Sequence, residues 1–403
     1  MSKLLKIKGG KVSGFLMMIL SALTLLMTSC VFDNYDIPDY PEEDDSIYLL
    51  TILVDNGNIA SRTENHQFQI GTKDENFINI SGKDFSVLIF DASDNHILTL
   101  EPENFILNSV GNVIDDDFTM YKMVGVIDKE TAKNKLSVGQ FKVMVLANWK
   151  SYDSGASYPA LNSTDKMEDI ITDDEKYKFS FKKDWFPSIT KKQCIPMFGM
   201  AEIQNGFPEP DKKTGESHLS VEVQMLRALA KLEIKINNDV TLNNNPIELE
   251  DATLSHRNNG GMFIPNITIE GNEYWGIEDK QVSKASLPKD GSIPEKTEVN
   301  FVKMDNELWA YIPEMNLPGE LFMEERPFVK LNVKEVNNTK NYEYSLHFCE
   351  YNSGDPKTGT ELEQILRNHI YRFTINNIEE TKLNLYVGIC PWETEEINIP
   401  PFQ

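Results

Sequence analysis

The sequence predicts a mainly β protein of two tandem β-sandwich domains with few short helices, and three observations lead to this prediction. Short runs rich in β-branched and aromatic residues recur along the chain, bounded by Asn, Asp and Gly. They follow one another at the spacing of sandwich strands. A polar segment rich in Gly and Pro, residues 206–217, separates an earlier series of runs from a later one. We therefore place the N-terminal sandwich at residues 63–210 and the C-terminal sandwich at residues 218–403.

The individual elements follow from local patterns. The predicted strands are residues 46–54, 85–90, 121–127, 141–147, 220–225, 229–236, 263–269, 308–312, 328–333, 342–348, 370–375 and 383–389. The few predicted helices are residues 129–132, 163–171 and 361–367. The last helix is suggested by Thr360 with Glu363 three residues later, which is a capping-box pattern.

The N-terminal segment has the layout of a secretion signal. Residues 1–29 carry four lysines and no acid, then an apolar run, then small residues just before Cys30. The apolar run is short for a transmembrane helix. Residues 27–30 (MTSC) resemble a bacterial lipobox, in which the cysteine is diacylated and becomes the new N-terminus. The sequence therefore predicts lipidation of Cys30 and an acidic, Pro-containing tether behind it.

Charge and cysteine content narrow the class of protein. The formal net charge of −24 becomes −28 without the four lysines of the signal, which argues against nucleic acid as a partner. No uninterrupted apolar stretch follows Cys30, so the remainder should fold as globular domains. The other cysteines are Cys194, Cys349 and Cys390, which allow at most one intrachain disulfide bond. Their wide spacing favours buried free thiols.

No catalytic or metal-binding pattern is present in the sequence. The six histidines form no pair at metal-ligand spacing, and no zinc, P-loop or G-x-S-x-G pattern occurs. The acidic run at residues 115–117 lacks the spaced ligands and the turn glycine of a calcium loop. We therefore expect no enzymatic activity, no cofactor and no metal.

Several segments, in order along the chain, resemble landmarks of the Bacteroides-type fimbrillin family, which comprises major fimbrial subunits and fimbrillin-like lipoproteins of type V pili. They are residues 139–149 (GQFKVMVLANW), 195–199 (IPMFG), 226–236 (LRALAKLEIKI), 366–375 (LRNHIYRFTI) and 383–392 (LNLYVGICPW). The lipobox, the strand at residues 46–54 and the loop at residues 55–62 (DNGNIASR) resemble the precursor layout of the same family. The resemblance implies sandwiches of the transthyretin-like, Greek-key type.

The resemblance also implies a mode of assembly. A pilin of this kind is secreted as an outer-membrane lipoprotein, cut after an arginine by a trypsin-like surface protease, and polymerised by strand exchange. The cut carries over to Arg62 and Thr63, in a Gly- and Asn-containing loop of the kind that proteases choose. The implied partners are other pilin subunits, the outer membrane through the lipid on Cys30, and the protease. The product would be a cell-surface fimbrium that supports adhesion.

The first predicted strand explains why such a cut could drive assembly. Residues 46–54 are apolar on both faces, so this strand should be central or covered. Its loss would open a groove that another subunit's strand could fill by β-augmentation. The family is thought to donate from the C-terminal end. The predicted donor side chains alternate along one strand and are Leu383, Leu385, Val387 and Ile389.

Two other functions stay open at the level of sequence. The chain could be an accessory subunit of the same pilus, either an anchor that is not cut or a tip adhesin. It could instead be a glycan-binding outer-membrane lipoprotein. In that case the stacking faces would come from Trp149, Trp185, Trp275 and Trp309.

The lipobox gives the first testable prediction. Cys30→Ala should leave the precursor unprocessed by the lipoprotein-specific peptidase and should abolish metabolic labelling with a fatty-acid probe, because the acyl acceptor is gone. Cys349→Ala, which removes a cysteine far from the lipobox, should leave labelling intact. Labelling of Cys30→Ala at the level of the unchanged protein would contradict lipidation at this residue.

Overall fold

β-Strands dominate the part of the chain that the structure describes. The structure is a computed structural model, and it describes residues 46–55, 69–70, 72–106, 120–137, 139–152, 157–172, 178–181, 185–237, 239–265, 298–317, 326–336, 340–350, 360–379 and 382–393. The prediction of a mainly β protein with few short helices is confirmed. Among these residues, no helix has the length and apolar character needed to cross a bilayer.

The strands are numbered in chain order. Those up to residue 227 are β1 (Ile47–Asp55), β2 (Gln69–Ile70), β3 (Phe85–Asp91), β4 (His96–Leu100), β5 (Met120–Ile127), β6 (Phe141–Ala147), β7 (Lys178–Ser180), β8 (Met197–Ile203) and β9 (Glu216–Arg227). The next are β10 (Leu229–Ile236), β11 (Thr241–Leu242), β12 (Asn245–Leu254), β13 (Gly260–Met262), β14 (Val299–Asn300), β15 (Val302–Met304), β16 (Glu307–Pro313) and β17 (Met315–Asn316). The last are β18 (Phe328–Glu335), β19 (Asn341–His347), β20 (Cys349–Glu350), β21 (Thr360–Glu361), β22 (Gln364–Ile365), β23 (His369–Glu379) and β24 (Lys382–Glu393).

The described helices are single turns or little more. They are α1 (Lys73–Asn76), α2 (Lys129–Thr131), α3 (Trp149–Tyr152) and α4 (Met167–Thr172), with a 3₁₀ turn at Pro102–Asn104 and a π-helical turn at Ala132–Leu136. Asp128 begins α2, because its carboxylate accepts a 2.9 Å hydrogen bond from the Thr131 amide.

The first sandwich is one ladder of strands that folds back on itself. The strand order is β4-β3-β6-β8-β9-β1-β5. β9 makes the corner, because residues 216–224 pair with β1 whereas its last residues pair with β8. The ends of the ladder face each other, so that a methyl group on Gly125 of β5 would lie 3.1 Å from Leu100 of β4.

The corner depends on a glycine in one of the sequence landmarks. Gly199 of β8 lies where β8 meets β9, and a methyl group there would come within 2.4 Å of the Gln224 carbonyl oxygen. A side chain cannot fit at that distance, so the close approach of the two backbones requires glycine. The IPMFG landmark is therefore a packing requirement of the first sandwich.

The second sandwich has two sheets. One has the order β15-β16-β10-β23-β24-β2, and the other has β11-β12-β18-β19 with β14 also on β12. β10 lies between antiparallel β16 and parallel β23. Phe348, which follows β19, packs edge-to-face on Phe373 of β23 with ring centroids 5.5 Å apart. Aromatic pairs of this geometry contribute about 0.5–1.5 kcal/mol beyond the area they bury.

The two halves of the chain are joined through more than one connection. Residues 46–403 form one compact unit. β7 from the first half pairs with β13 from the second, and Trp149 stacks on Phe263 with ring centroids 3.8 Å apart. The change of sheet falls at Ala228, between β9 and β10, whereas the predicted C-terminal domain at residues 218–403 included most of β9. The polar segment at residues 206–217 therefore leads into a strand of the first sandwich.

One predicted helix is wrong. Residues 361–367 contain β21, β22 and the turn that follows, because their backbone groups bond to neighbouring strands rather than to each other. The Leu362 amide donates to the Phe348 carbonyl at 3.0 Å, and the Glu363 carbonyl accepts from the Leu317 amide at 2.7 Å. The capping-box pattern was a local coincidence that these long-range bonds override.

Other differences are smaller. Residues 263–265 of the predicted strand at residues 263–269 are not a strand, and the rest of it lies outside the described residues. α4 begins at Met167, inside the predicted helix at residues 163–171. Among the described strands of seven or more residues, β8 and β12 were not predicted, nor were several shorter strands. β12 alternates exposed acids such as Glu248 with the buried Leu249, so its charged face hides the strand pattern.

Candidate functional site

β1 fills a slot between two other strands of the first sandwich. Its residues run parallel to β9 from Ile47 opposite Glu216 to Asp55 opposite Gln224. On its other side β1 runs antiparallel to β5. The pairing continues one residue before β9, where the Ile47 amide donates a 2.9 Å hydrogen bond to the Gly215 carbonyl. The prediction that this strand is internal to a sheet is confirmed.

The side chains on one face of β1 are all buried, and those on the other face are partly buried. The inward face consists of Tyr48 (2% exposed), Leu50, Ile52 and Val54 (each 0% exposed). On the opposite face Leu49 is also buried, while Ile47 and Leu53 are half-buried. Burial of these apolar side chains contributes on the order of 10 kcal/mol as an upper estimate. That is comparable to the whole stability of a typical domain, about 5–15 kcal/mol.

β5 depends on β1 for its place in the ladder. Among the described strands, β1 is the one with which β5 pairs along its length, and a single bridge joins Phe105 to Gly125. Removal of β1 would therefore leave one edge of β9 and one edge of β5 without ladder hydrogen bonds. A strand that restores them must run parallel to β9 and antiparallel to β5.

The predicted donor residues lie in β24, within the chain's own second sandwich. β24 pairs antiparallel with β23 over ten residue pairs. Leu383 is opposite Ile378, and Ile389 is opposite Tyr371. At its end β24 also pairs with β2. The remaining predicted site residues, Cys30, Arg62 and Thr63, lie outside the described residues.

A buried ionic cluster lies where α1 meets the second sandwich, and we call it the junction cluster. Its members are Glu75 of α1, Lys231 and Glu233 of β10, Tyr311 of β16 and Arg372 of β23. The Lys231 Nζ atom lies 2.9 Å from Glu75 and 2.7 Å from Glu233. Arg372 Nε donates to Glu233 at 2.7 Å, and the Tyr311 hydroxyl bonds to Glu75. Each carboxylate therefore has a cation beside it.

The electrostatics of the junction cluster favour the charged form of the Glu75 carboxyl. Burial acts to raise the pKa of this carboxyl, but the Lys231 ammonium, the Tyr311 hydroxyl and the Thr72 amide outweigh it, so the pKa lies below its ordinary value. Burial and the neighbouring Glu75 charge raise the pKa of Tyr311 well above its ordinary value. Tyr311 thus stays a hydroxyl donor to a charged acceptor.

A second set of buried polar contacts surrounds the first. Arg227, 0% exposed, donates to the Glu75 carbonyl oxygen at 3.4 Å and to Asn368 Oδ1 at 3.2 Å. Arg367, also 0% exposed, donates from Nε to Glu314 at 2.9 Å and from Nη2 to the Met262 carbonyl at 2.7 Å. These contacts tie both landmark segments, at residues 226–236 and 366–375, to the boundary between the sandwiches.

Sequence reasoning did not single out the junction cluster, although a signal was present. Lys231, Glu233 and Lys235 alternate with apolar residues in a strand with no polar run around it. Such a pattern usually means a solvated face, but Lys231 and Glu233 are 3% and 2% exposed. The burial is explained by partners far away in the sequence, which are Glu75 for Lys231 and Arg372 for Glu233.

Two of the four tryptophans proposed for glycan stacking are buried. Trp149 and Trp185 are 0% and 5% exposed, so the stacking role suggested for them is wrong. Trp309 is half-buried, with the Lys231 Nζ atom 3.4 Å from its ring centroid, and Trp275 lies outside the described residues. Aromatic stacking on a sugar needs an open ring face, which Trp149 and Trp185 lack.

Reactive groups do not gather into a site in the part of the chain that the structure describes. There, no three His, Cys, Asp or Glu side chains are placed to hold a metal ion. Cys194 is buried, and burial raises the pKa of its thiol to about 12. A thiol with so high a pKa is an inert packing group at neutral pH.

Comparison with known proteins gives structural similarities only. No protein-family model and no curated protein sequence matches the chain. The chain is similar to a solved fimbrial assembly protein from Parabacteroides distasonis, with 14% identity over 85% of this chain and 98% of that one and a TM-score of 0.42. It is similar to a solved structure from Bacteroides eggerthii described as a cell adhesion protein, with 12% identity, coverage of 88% and 98%, and a TM-score of 0.43.

A third similarity is to the fimbrial anchor protein Mfa2 from Porphyromonas gingivalis, with 10% identity, coverage of 86% and 98%, and a TM-score of 0.29. These three solved structures are described as fimbrial or cell adhesion proteins. TM-scores below 0.5 carry no argument for function. The function proposed for this chain rests on its own strands and motifs.

The junction cluster gives the second testable prediction. Lys231→Met should lower the free energy of unfolding by about 3–5 kcal/mol, because it leaves Glu75 buried without its cation. The control is Lys303→Met, which breaks the exposed 2.6 Å pair with Glu248 and should cost at most about 1 kcal/mol. Urea unfolding followed by tryptophan fluorescence measures both. Equal losses in the two variants would contradict the structural role assigned to Lys231.

Proposed function

We propose that the chain is a structural subunit of a surface fimbrium, secreted as a lipoprotein through Cys30, cut between Arg62 and Thr63 by a trypsin-like surface protease, and polymerised by strand exchange. The partners are other pilin subunits and, before the cut, the outer membrane. No enzymatic step by this chain is part of the proposal. Adhesion is the function that the assembled fimbrium supports.

The position of β1 is the observation that carries this proposal. β1 precedes the predicted cut, is bonded on both edges, and places four side chains in the core of the first sandwich. Its covalent link to the other described strands is the segment at residues 56–68. One cut in that segment converts an integral strand into one held by noncovalent contacts alone. A strand of the same shape from another subunit can then replace it.

The C-terminal strand has the spacing that the slot requires. The inward side chains of β1 and the predicted donor side chains of β24 both recur at every second residue. They are Tyr48, Leu50, Ile52 and Val54 in β1, and Leu383, Leu385, Val387 and Ile389 in β24. A register shift of one residue would turn the donor's apolar set away from the core, so the slot should accept only registers that differ by an even number of residues.

A second function is favoured by the pairing of β24. In the monomer this strand is bonded to β23 over ten residue pairs, so donation requires that it leave its own sheet. A subunit that receives a strand but does not donate one would keep β24 where it is. An accessory subunit at the base of the fimbrium, such as an uncut anchor, fits that arrangement.

Competition for the slot is the third testable prediction and the test of the proposed function. A synthetic peptide of residues 46–55, added in excess to the full chain cut with trypsin, should stop fibre growth as seen by electron microscopy. The same peptide with Leu50→Asp and Ile52→Asp should not, because burying each carboxylate without a partner costs several kcal/mol, roughly 2–7 for a polar group and more for a charge.

The matched control changes the opposite face of the same peptide. Thr51 is half-buried and points away from the inward set, so the Thr51→Asp peptide should still inhibit. Growth that is unaffected by the unaltered peptide, or inhibited equally by the Leu50→Asp, Ile52→Asp peptide, would contradict occupation of the β1 slot.

A further inference from the structure

The end of β24 is fastened by a strand from the start of the fold. β23 begins at His369, which pairs with Pro391. The last two residues of β24, Trp392 and Glu393, extend past that point and pair in parallel with Gln69 and Ile70 of β2. β2 therefore holds the part of β24 that β23 does not reach.

β2 is in turn fixed to the same sheet through α1. One residue separates β2 from Thr72, whose amide donates to Glu75 at 2.6 Å. Glu75 is anchored to Lys231 of β10 at 2.9 Å and to Tyr311 of β16. The junction cluster thus restrains the C-terminal end of β2, and this restraint keeps β2 beside β24.

From its N-terminal side, β2 is tied to the first sandwich. Residues 56–68 connect Asp55, the last residue of β1, to Gln69. β1 is held along its length by β9 and β5. In the uncut chain both ends of β2 are therefore restrained, and restraint at both ends lowers the entropy that the strand would gain by detaching.

We propose that β2 is a latch on the C-terminal end of β24, and that cutting the chain at Arg62 loosens this latch. The inference rests on the proposed function. An edge strand opens from its end, where fewest contacts must break, and the latch lies at that end of β24. After the cut β2 is restrained on one side only, so it detaches more often and β24 can open from residue 393 backwards.

The latch couples the two halves of strand exchange. One cut frees β1 to leave, which opens an acceptor slot in the first sandwich. The same cut weakens the hold on β24, which is the donor of the proposed function. An uncut precursor therefore has neither an open slot nor a free donor, so assembly begins only after the protease has cut the chain.

A disulfide across the latch tests the proposal in the full chain, and it is the fourth testable prediction. Ile70 and Glu393 are register partners, and paired strands lie about 4.8 Å apart, within the roughly 4.4–6.8 Å between Cα atoms that a disulfide spans. The oxidised Ile70→Cys, Glu393→Cys variant, cut with trypsin, should remain monomeric by size-exclusion chromatography, and reduction should restore fibres.

The control is the Met304→Cys, Glu307→Cys variant, which places a disulfide between register partners of β15 and β16 at the other edge of the sheet. This control variant should form fibres after the cut whether it is oxidised or reduced.

Fibre formation and backbone hydrogen exchange together distinguish failure of the latch from failure of the proposed function. If the unaltered chain forms fibres after the cut, fibres of normal length from the oxidised latch variant would overturn the latch. If the unaltered chain forms none, the proposed function fails and backbone hydrogen exchange of residues 382–393 still decides the latch. Exchange at least tenfold faster after the cut in the unaltered chain, but unchanged in the oxidised latch variant, supports it. Exchange unchanged by the cut in the unaltered chain overturns it.

Discussion

The ladder of the first sandwich depends on one strand that the chain supplies from its N-terminal side. β1 bonds in parallel to β9 and antiparallel to β5, and β10 has the equivalent position in the second sandwich, between parallel β23 and antiparallel β16. The difference is covalent. β10 continues directly from β9, so it cannot leave, whereas β1 is linked to the rest of the described strands through residues 56–68 alone. The same strand position is permanent in the second sandwich and, in the proposed function, exchangeable in the first.

The charged residues within the sequence landmarks connect the sandwiches. Lys231 and Glu233 alternate with core residues of β10, and their partners come from α1 and β23. A buried ion pair adds little net stability over an apolar pair, but removal of one member leaves an uncompensated charge. The cluster therefore specifies where α1 attaches, and with it the short strand β2 that lies beside the end of β24.

Local patterns in the sequence predict most of the strands with seven or more residues, but not their partners. β3, β6 and β10 were predicted within a residue of their observed limits, because β3 and β6 are runs rich in apolar residues and β10 alternates regularly between apolar and charged residues. The helix predicted at residues 361–367 was wrong because the backbone groups of Leu362 and Glu363 bond to Phe348 and Leu317, which no local pattern can show. The internal position of β1 followed from its two apolar faces. The membership of β9 in the first sandwich did not, because its parallel partner β1 is distant in the sequence.

Replacement of β1 is the central claim, and the N-terminus of the subunits within fibres tests it most directly. Fibres sheared from the cell surface can be analysed by mass-spectrometric sequencing of their N-terminal peptides. The account predicts subunits that begin at Thr63 and contain no peptide from residues 46–55. Fibre subunits that begin at lipidated Cys30, with residues 46–55 still part of the chain, would contradict it.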